Sequence, residues 1–284
     1  MTDRRRLHAN GRVAHSALVG RVDADLFKDG EDRQVVVPVT TLWNDPGGRR
    51  ERELLLGDGF CLLEERDGFV FGYALRDDHA GYIDAAHLAR PMQPVTHVVR
   101  ARMTHALPEP DFKTRGAHLP LSLGARLAVT GITGQWAEVR IAGTTHHIPA
   151  IHLRAVDSPE TDPVTVAERL IGTPYVWGGN SALGIDCSGL VTAACLACCI
   201  PCPGDSDLQQ AELGHPLPDD APLQRGDLLF WKGHVAWVAD PHRIIHANAY
   251  HMAVAHEPLQ DAIARINAQG DGPVTARKRL EFPA

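Results

Sequence analysis

The residues best suited to chemistry in this chain are one cysteine ahead of an apolar run and two histidines on later apolar runs. The glycine-rich loop Gly178-Gly179-Asn180-Ser181-Ala182-Leu183-Gly184 leads into Ile185-Asp186-Cys187-Ser188-Gly189-Leu190, then into an alanine-rich stretch that reads as a buried helix. That order puts Cys187 at or beside a helix N-terminus, where unpaired N–H groups and the helix dipole favour an anion. A thiol so placed is biased toward thiolate, the form that attacks carbonyl carbon. Downstream, Gly233-His234-Val235-Ala236-Trp237-Val238 and Ile244-Ile245-His246-Ala247-Asn248 each set a histidine in a strand-like run. Taken singly, a buried cysteine and two core histidines would be ordinary packing. Together with the glycine loop they are the layout of a thiol hydrolase whose base is oriented by a third polar group.

With these strings, Gly172-Thr173-Pro174-Tyr175-Val176-Trp177-Gly178-Gly179 and Arg225-Gly226-Asp227-Leu228-Leu229-Phe230 make the stretch from about Pro163 to the C-terminus resemble the NlpC-type cell-wall peptidases. The resemblance implies a papain-like α+β fold, with the helix bearing the nucleophile packed on an antiparallel sheet. It implies Cys187 as nucleophile, His234 as its acid–base partner and His246 as the residue orienting His234. Pairing with a histidine cation at a helix start takes a thiol from ~8.5 to ~3.5–4, so the expected resting state is a Cys187 thiolate facing a His234 imidazolium. The backbone N–H of Cys187 would receive the tetrahedral oxyanion. His234 would then protonate the departing amine, and water would resolve the thioester.

The same resemblance assigns substrate contacts. Tyr175, twelve residues before the nucleophile, would turn its hydroxyl toward the thiol; as an ordinary residue it is a packed turn aromatic. Trp177 reads as packing, and Gly178 and Gly179 as turn residues that permit positive φ. Asp186 and Ser188 suit a cap and a first-turn position, and in the resembling enzymes these positions also touch substrate. Asp205-Ser206, eighteen residues after the nucleophile, reads as a capped helix start. The resemblance gives Asp205 the free α-amine of an N-terminal L-alanine. Tyr82, with Glu53 or Asp45, would complete that amine pocket from the first of two SH3-like barrels and close the groove to blocked peptides.

The elements that must hold these groups follow from the spacing of apolar runs and turns. Leu54-Leu55-Leu56-Gly57, Asp67-Gly68-Phe69-Val70 and Gly81-Tyr82-Ile83-Asp84-Ala85-Ala86-His87-Leu88 are echoed by Leu121-Ser122-Leu123-Gly124, Thr133-Gly134-Gln135-Trp136 and His147-Ile148-Pro149-Ala150-Ile151-His152-Leu153. Both units read as short strands joined by glycine turns and resemble bacterial SH3-like barrels. The expected division is a polar leader over 1–32, which wraps over the other domains or is partly ordered, barrels over 33–91 and 92–156, and the peptidase domain over 157–284. Asp162 and Pro163 suit the cap and first turn of a helix over Val164–Ile171. Four strands, Asp227–Trp231, His234–Ala239, Ile244–Asn248 and Met252–Ala255, should form the sheet.

The chain of 284 residues has a net charge of −7 and 44% hydrophobic residues, ample for packed cores and unsuited to nucleic acid. No stretch approaches the ~18 consecutive apolar residues of a membrane helix. Met1-Thr2-Asp3-Arg4-Arg5-Arg6-Leu7-His8 has no apolar core behind it, so the expected compartment is the cytoplasm. Cys195, Cys198, Cys199 and Cys202 fall on one helical stripe and cannot surround a metal tetrahedrally. Cys195, Cys198 and Cys199 are expected to pack the nucleophile helix, which Pro201 ends. No acid or thiol accompanies His146, His147 and His152, or His251 and His256, at metal-site spacing, so neither metal nor cofactor is expected.

The reading that unites these features is a cytoplasmic cysteine peptidase of murein peptide recycling. It would cut L-Ala-γ-D-Glu-diamino acid peptides after D-glutamate, a preference that rests on the resemblance. The rivals are a wall-bound lytic endopeptidase, a thiol amidase or acyltransferase on the same fold, and an inactive binding module.

Overall fold

The computed structural model describes residues 3–91 and 93–281. The chain forms two compact units that part between Asp157 and Ser158. Met1 and Thr2 of the expected leader, Met92 at the second barrel boundary and the last three residues of the peptidase domain lie outside the described residues.

In the first unit, alternating apolar residues build a seven-stranded sheet in the order Arg50–Leu55, Val39–Trp43, Ala80–Asp84, Phe69–Ala74, Gly59–Arg66, Glu31–Val35, Leu88–Ala89. Its core is Val35, Leu42, Leu54, Phe60, Val70 and Ile83. From His97 to Ala155, three short sheets surround Leu121, Leu127, Val139 and Ile148. The two echoing segments adopt the same local structure. Ala85–His87 and Ala150–His152 are both single 3-10 turns running into a short strand. The ring Nδ1 of His87 bonds Thr40 Oγ1 at 2.8 Å, and that of His152 bonds Thr104 Oγ1 at 2.7 Å.

The polar leader is ordered on the first sheet. Val13–His15 pairs in parallel with Leu26–Lys28, and Val13 and Ala14 are buried. Arg12 holds Glu64 through both carboxylate oxygens. Deeper in this unit, the buried Arg76 donates to Asp58 Oδ2 at 2.8 Å and to the Glu53 carbonyl at 2.6 Å. Asp77, also buried, faces Arg52 and Arg76 at 3.5 and 3.6 Å.

The second unit is an antiparallel six-stranded sheet in the order His215–Pro216, Ala276–Arg279, Asp227–Trp231, His234–Asp240, Arg243–Asn248, Ala253–Pro258. Helix α1 runs over Pro163–Glu168, ending three residues before the expected Ile171, because Arg169 and Leu170 already bond 3-10 fashion to Val166 and Ala167. Its cap is Asp162, which accepts from Val164 N at 2.9 Å. Helix α2, Cys187–Ala197, packs on the strands His234–Asp240 and Arg243–Asn248. Helix α3 spans Ser206–Glu212 and α4 spans Leu259–Gln269. Phe230, Val235, Ile244 and Ile245 are fully buried between these layers, each contributing about 1.5–3 kcal/mol. No described helix is long and apolar enough to cross a membrane.

One cysteine departs from the expected packing. Helix α2 ends at Ala197, well before Pro201, so the chain has left the helical stripe by Cys199. Cys199 is exposed at φ 57°, whereas Cys195, Cys198 and Cys202 are buried; all six cysteines are free thiols.

Candidate active site

The loop before α2 is closed by one carboxylate. Asp186 Oδ2 accepts from Gly178 N at 2.8 Å, while Oδ1 accepts from Ser188 Oγ at 2.8 Å and Gly189 N at 2.6 Å. Asp186 is therefore both the N-cap of α2 and the clasp of the glycine loop, and Ser188 spends its hydroxyl on that cap. Gly178 has the positive φ expected of it, 72°. Gly179 does not; it is needed because a Cβ there would stand 2.4 Å from the Gly184 carbonyl.

Cys187 is the first residue of α2, with its sulfur approached by the N–H groups of Val235, Ser188 and Cys187 itself. Burial nevertheless pushes the thiol up to about 12, and the Asp186 charge adds to the rise. Burial likewise takes the His234 imidazole down to about 3, helped by the nearby His246 charge. Burial thus opposes the expected thiolate–imidazolium pair: desolvation raises a thiol only 6% exposed against the pull of the helix start, and lowers the imidazole.

His234 follows a glycine turn at the start of its strand, and the next residue, Val235, points its N–H at the Cys187 sulfur. Its Nε2 lies 2.8 Å from Nδ1 of the fully buried His246, whose Nε2 lies 3.0 Å from Glu257 Oε2. Arg265 from α4 donates to both Glu257 oxygens, at 2.8 and 2.7 Å. Burial raises the Glu257 carboxyl, but the Arg265 and His246 hydrogen bonds bring it down to about 2. A carboxylate only accepts, so His246 carries its proton on Nε2 and accepts at Nδ1 from His234 Nε2–H. His234 Nδ1 is left as the proton-accepting nitrogen.

Glu257 and Arg265 escaped the sequence reading, and a signal for the acid existed. Ile244 pairs with Glu257 across the hairpin, so Glu257 shares a face with His246 two residues on. An acid near the end of the strand Ala253–Pro258, eleven residues after the second histidine, marks that position.

Tyr175 is half-buried, and its hydroxyl is raised by burial and then by the Cys187 and Asp186 charges, which places it beside the nucleophile. Asp205 is the N-cap residue of α3 without a side-chain cap hydrogen bond, and Ser206 opens the helix. Gln209 of α3, fully buried, donates to Ser188 O at 3.0 Å and Thr192 Oγ1 at 3.2 Å. That ties α3 to the first turn of α2. Trp177 is 69% exposed, a correction to its expected packing role.

The remaining candidates belong to the first unit. Tyr82 lies inside the sheet, not at its edge, packed against Phe71 with its hydroxyl accepting from Asn10 at 3.3 Å. Glu53 faces Arg50 at 3.7 Å, and Asp45 is exposed in a turn.

Residues 172–266 match the NlpC/P60 family, and residues 42–88 match the bacterial dipeptidyl-peptidase Sh3 domain. The chain is 30% identical over 240 residues to Dipeptidyl-peptidase 6 of Lysinibacillus sphaericus, covering 75% of this chain and 86% of that protein. It is 33% identical over 106 residues to the Gamma-D-glutamyl-L-lysine dipeptidyl-peptidase of Bacillus cereus, covering 34% of this chain and 31% of that protein. In fold it is similar to the crystal structure of an NlpC/P60 family protein from Bacillus cereus, with a TM-score of 0.74 at 18% identity, covering 89% of this chain and 100% of that one.

Proposed function

The chain belongs to the NlpC/P60 family and is a cysteine peptidase, and from that premise we propose that it cleaves the γ-D-glutamyl–diamino acid bond of murein stem peptides bearing a free N-terminal L-alanine. The observations that carry the reading are Cys187 at the α2 start, approached by the N–H of Val235 next to His234, and the hydrogen-bonded chain from His234 through His246 to Glu257. The printed names of the two relatives support the bond and the release of a dipeptide.

In this reading the thiol is neutral until substrate arrives. As the sulfur attacks the carbonyl carbon, His234 Nδ1 takes the thiol proton, and the imidazolium formed is held by the chain of hydrogen bonds ending on the Glu257 carboxylate. Tyr175 and the N–H groups at the head of α2 supply donors for the oxyanion. The amine leaves with the proton from His234, and water, deprotonated by the same ring, releases the acyl group as the free acid. Asp205 takes the α-amine of the L-alanine, a charge-assisted contact worth about 1.5–3 kcal/mol. A substrate with a free amine is a released peptide, which goes with a role in recycling inside the cell.

Mass spectrometry of products from L-Ala-γ-D-Glu-diaminopimelate and from its N-acetylated form tests this. L-Ala-D-Glu should appear from the free peptide alone. Equal cleavage of both, or faster release of fragments from intact sacculi, would favour a lytic wall endopeptidase.

A further inference from the structure

We propose that His246, His251 and Glu257 form a weak inhibitory site for a divalent transition-metal ion, zinc foremost, and that the bound ion disables the base by reversing the tautomers of both relay histidines. The ligand atoms of these three residues lie within 4.8 Å of one another. His246 Nε2 and Glu257 Oε2 are 3.0 Å apart, close to the ~3.3 Å separation of neighbouring donors around a tetrahedral zinc with bonds of ~2.0–2.1 Å. Two imidazoles and one carboxylate are a zinc ligand set, with the fourth position open to water. The sequence reading missed it because it looked for an acid near His251, while Glu257 arrives across the hairpin.

His251 supplies the third donor and the entry path. Asn248 Oδ1 accepts from the His251 backbone N–H at 2.8 Å and from its ring Nδ1 at 3.0 Å. The amide oxygen fixes Nδ1 as the protonated nitrogen and leaves Nε2 bare for a metal, as outer-shell partners of histidine ligands do. The residue is exposed, so an ion reaches it from solvent. Arg265 already occupies both Glu257 oxygens. That neighbouring cation keeps the affinity low, suited to an ion that comes and goes.

The effect on the base follows from proton bookkeeping. An ion on His246 Nε2 expels the proton there to water, and the neutral ring then carries its proton on Nδ1. That proton comes from His234 Nε2–H along the 2.8 Å hydrogen bond, and His234 regains one at Nδ1 from water. Proton count is unchanged, but Nδ1 is now N–H and cannot accept the Cys187 proton. The inhibition rests on the proposed relay; the binding does not.

The test uses the full chain and Zn²⁺ or Co²⁺ alone. Zn²⁺ should inhibit peptide cleavage reversibly with EDTA, and His251→Ala should keep the metal-free rate while needing about tenfold or more Zn²⁺ for the same inhibition. Protein alkylated at Cys187 should still bind one Co²⁺, seen by titration calorimetry and visible absorption without a thiolate charge-transfer band. The His251→Ala protein, alkylated likewise, should not. Equal inhibition of wild type and His251→Ala, or loss of Co²⁺ binding on alkylation, would mean that the ion sits on the nucleophile and would overturn the site. Co²⁺ binding that depends on His251 without any inhibition would overturn the coupling to the base.

Discussion

His234 Nε2 and His246 Nδ1 are 2.8 Å apart, and that hydrogen bond determines which nitrogen of the base is available. The direction of the bond is set one step further out, where Glu257, held as a carboxylate by Arg265, forces His246 to donate from Nε2. The base is therefore configured through Arg265, a residue of α4.

Removal of the nucleophile, the base and its orienting residues should give a graded loss. Cys187→Ala should lower turnover about 10⁶-fold with an unchanged circular dichroism spectrum, since the triad acts as a unit. His234→Ala should fall nearly as far and His246→Ala less. Glu257→Gln, which can still accept from His246 but carries no charge, should cost about 10–100-fold, as outer-shell partners do. A Cys187→Ala enzyme within tenfold of wild type would sink the thiol mechanism.

The raised thiol makes a second expectation. With Cys187 up at about 12 and His234 down at about 3, the thiolate fraction grows with pH throughout the neutral range. Alkylation by iodoacetamide should be slow at pH 6 and rise about tenfold per pH unit up to pH 10, because only thiolate reacts. A preformed ion pair would instead give a rate already at its plateau near pH 6. Stopped-flow labelling across that range, followed by peptide mapping of Cys187, separates the two.

Much of this site is legible in the chain because its signals are local. The cap Asp186, the glycines that let the loop meet α2, and the strands carrying His234 and His246 all announce themselves within a dozen residues. What escaped is carried by pairing across the sheet or by burial. The strand Ala276–Arg279 reads Ala-Arg-Lys-Arg, without an apolar face, and is held by pairing with Asp227–Trp231 and by Arg279 on both Asp227 oxygens at 2.8 Å. Glu257 and Gln209 matter only once a hairpin and a helix bring them to His246 and Ser188. The upward pull of burial on the Cys187 thiol is likewise absent from the sequence, where the helix start is visible and the depth of burial is not.

The ionic core of the first unit should be intolerant of unpairing. Asp58 accepts from buried Arg76 at 2.8 Å and from Leu55 N at 2.9 Å. Asp58→Ala leaves the buried Arg76 guanidinium with only Asp77 and the Glu53 carbonyl and takes the acceptor from Leu55 N, and removing one partner of a buried pair costs up to about 3–5 kcal/mol. Urea unfolding should show that loss in the transition of the first unit. A change below about 1 kcal/mol, the level of a surface pair, would mean that water reaches Arg76.

The specificity expectation centres on Asp205, the N-cap residue of α3. Gln209 pins this helix to the first turn of α2 through Ser188 O, so a ligand held at Asp205 is registered against Cys187. A carboxylate facing an ammonium group contributes about 1.5–3 kcal/mol, and acetylation removes the charge while adding bulk. The acetylated peptide should be cut at least about 100-fold more slowly, since each 1.36 kcal/mol is a factor of ten. Asp205→Asn keeps the shape and removes the charge, so it should lose activity on the free peptide, chiefly through KM, and leave the slow cleavage of the acetylated peptide nearly unchanged. The ratio of the two kcat/KM values would then collapse toward unity, with the alkylation rate of Cys187 unaltered. A ratio that survives Asp205→Asn would move amine recognition to another residue while leaving the thiol chemistry in place.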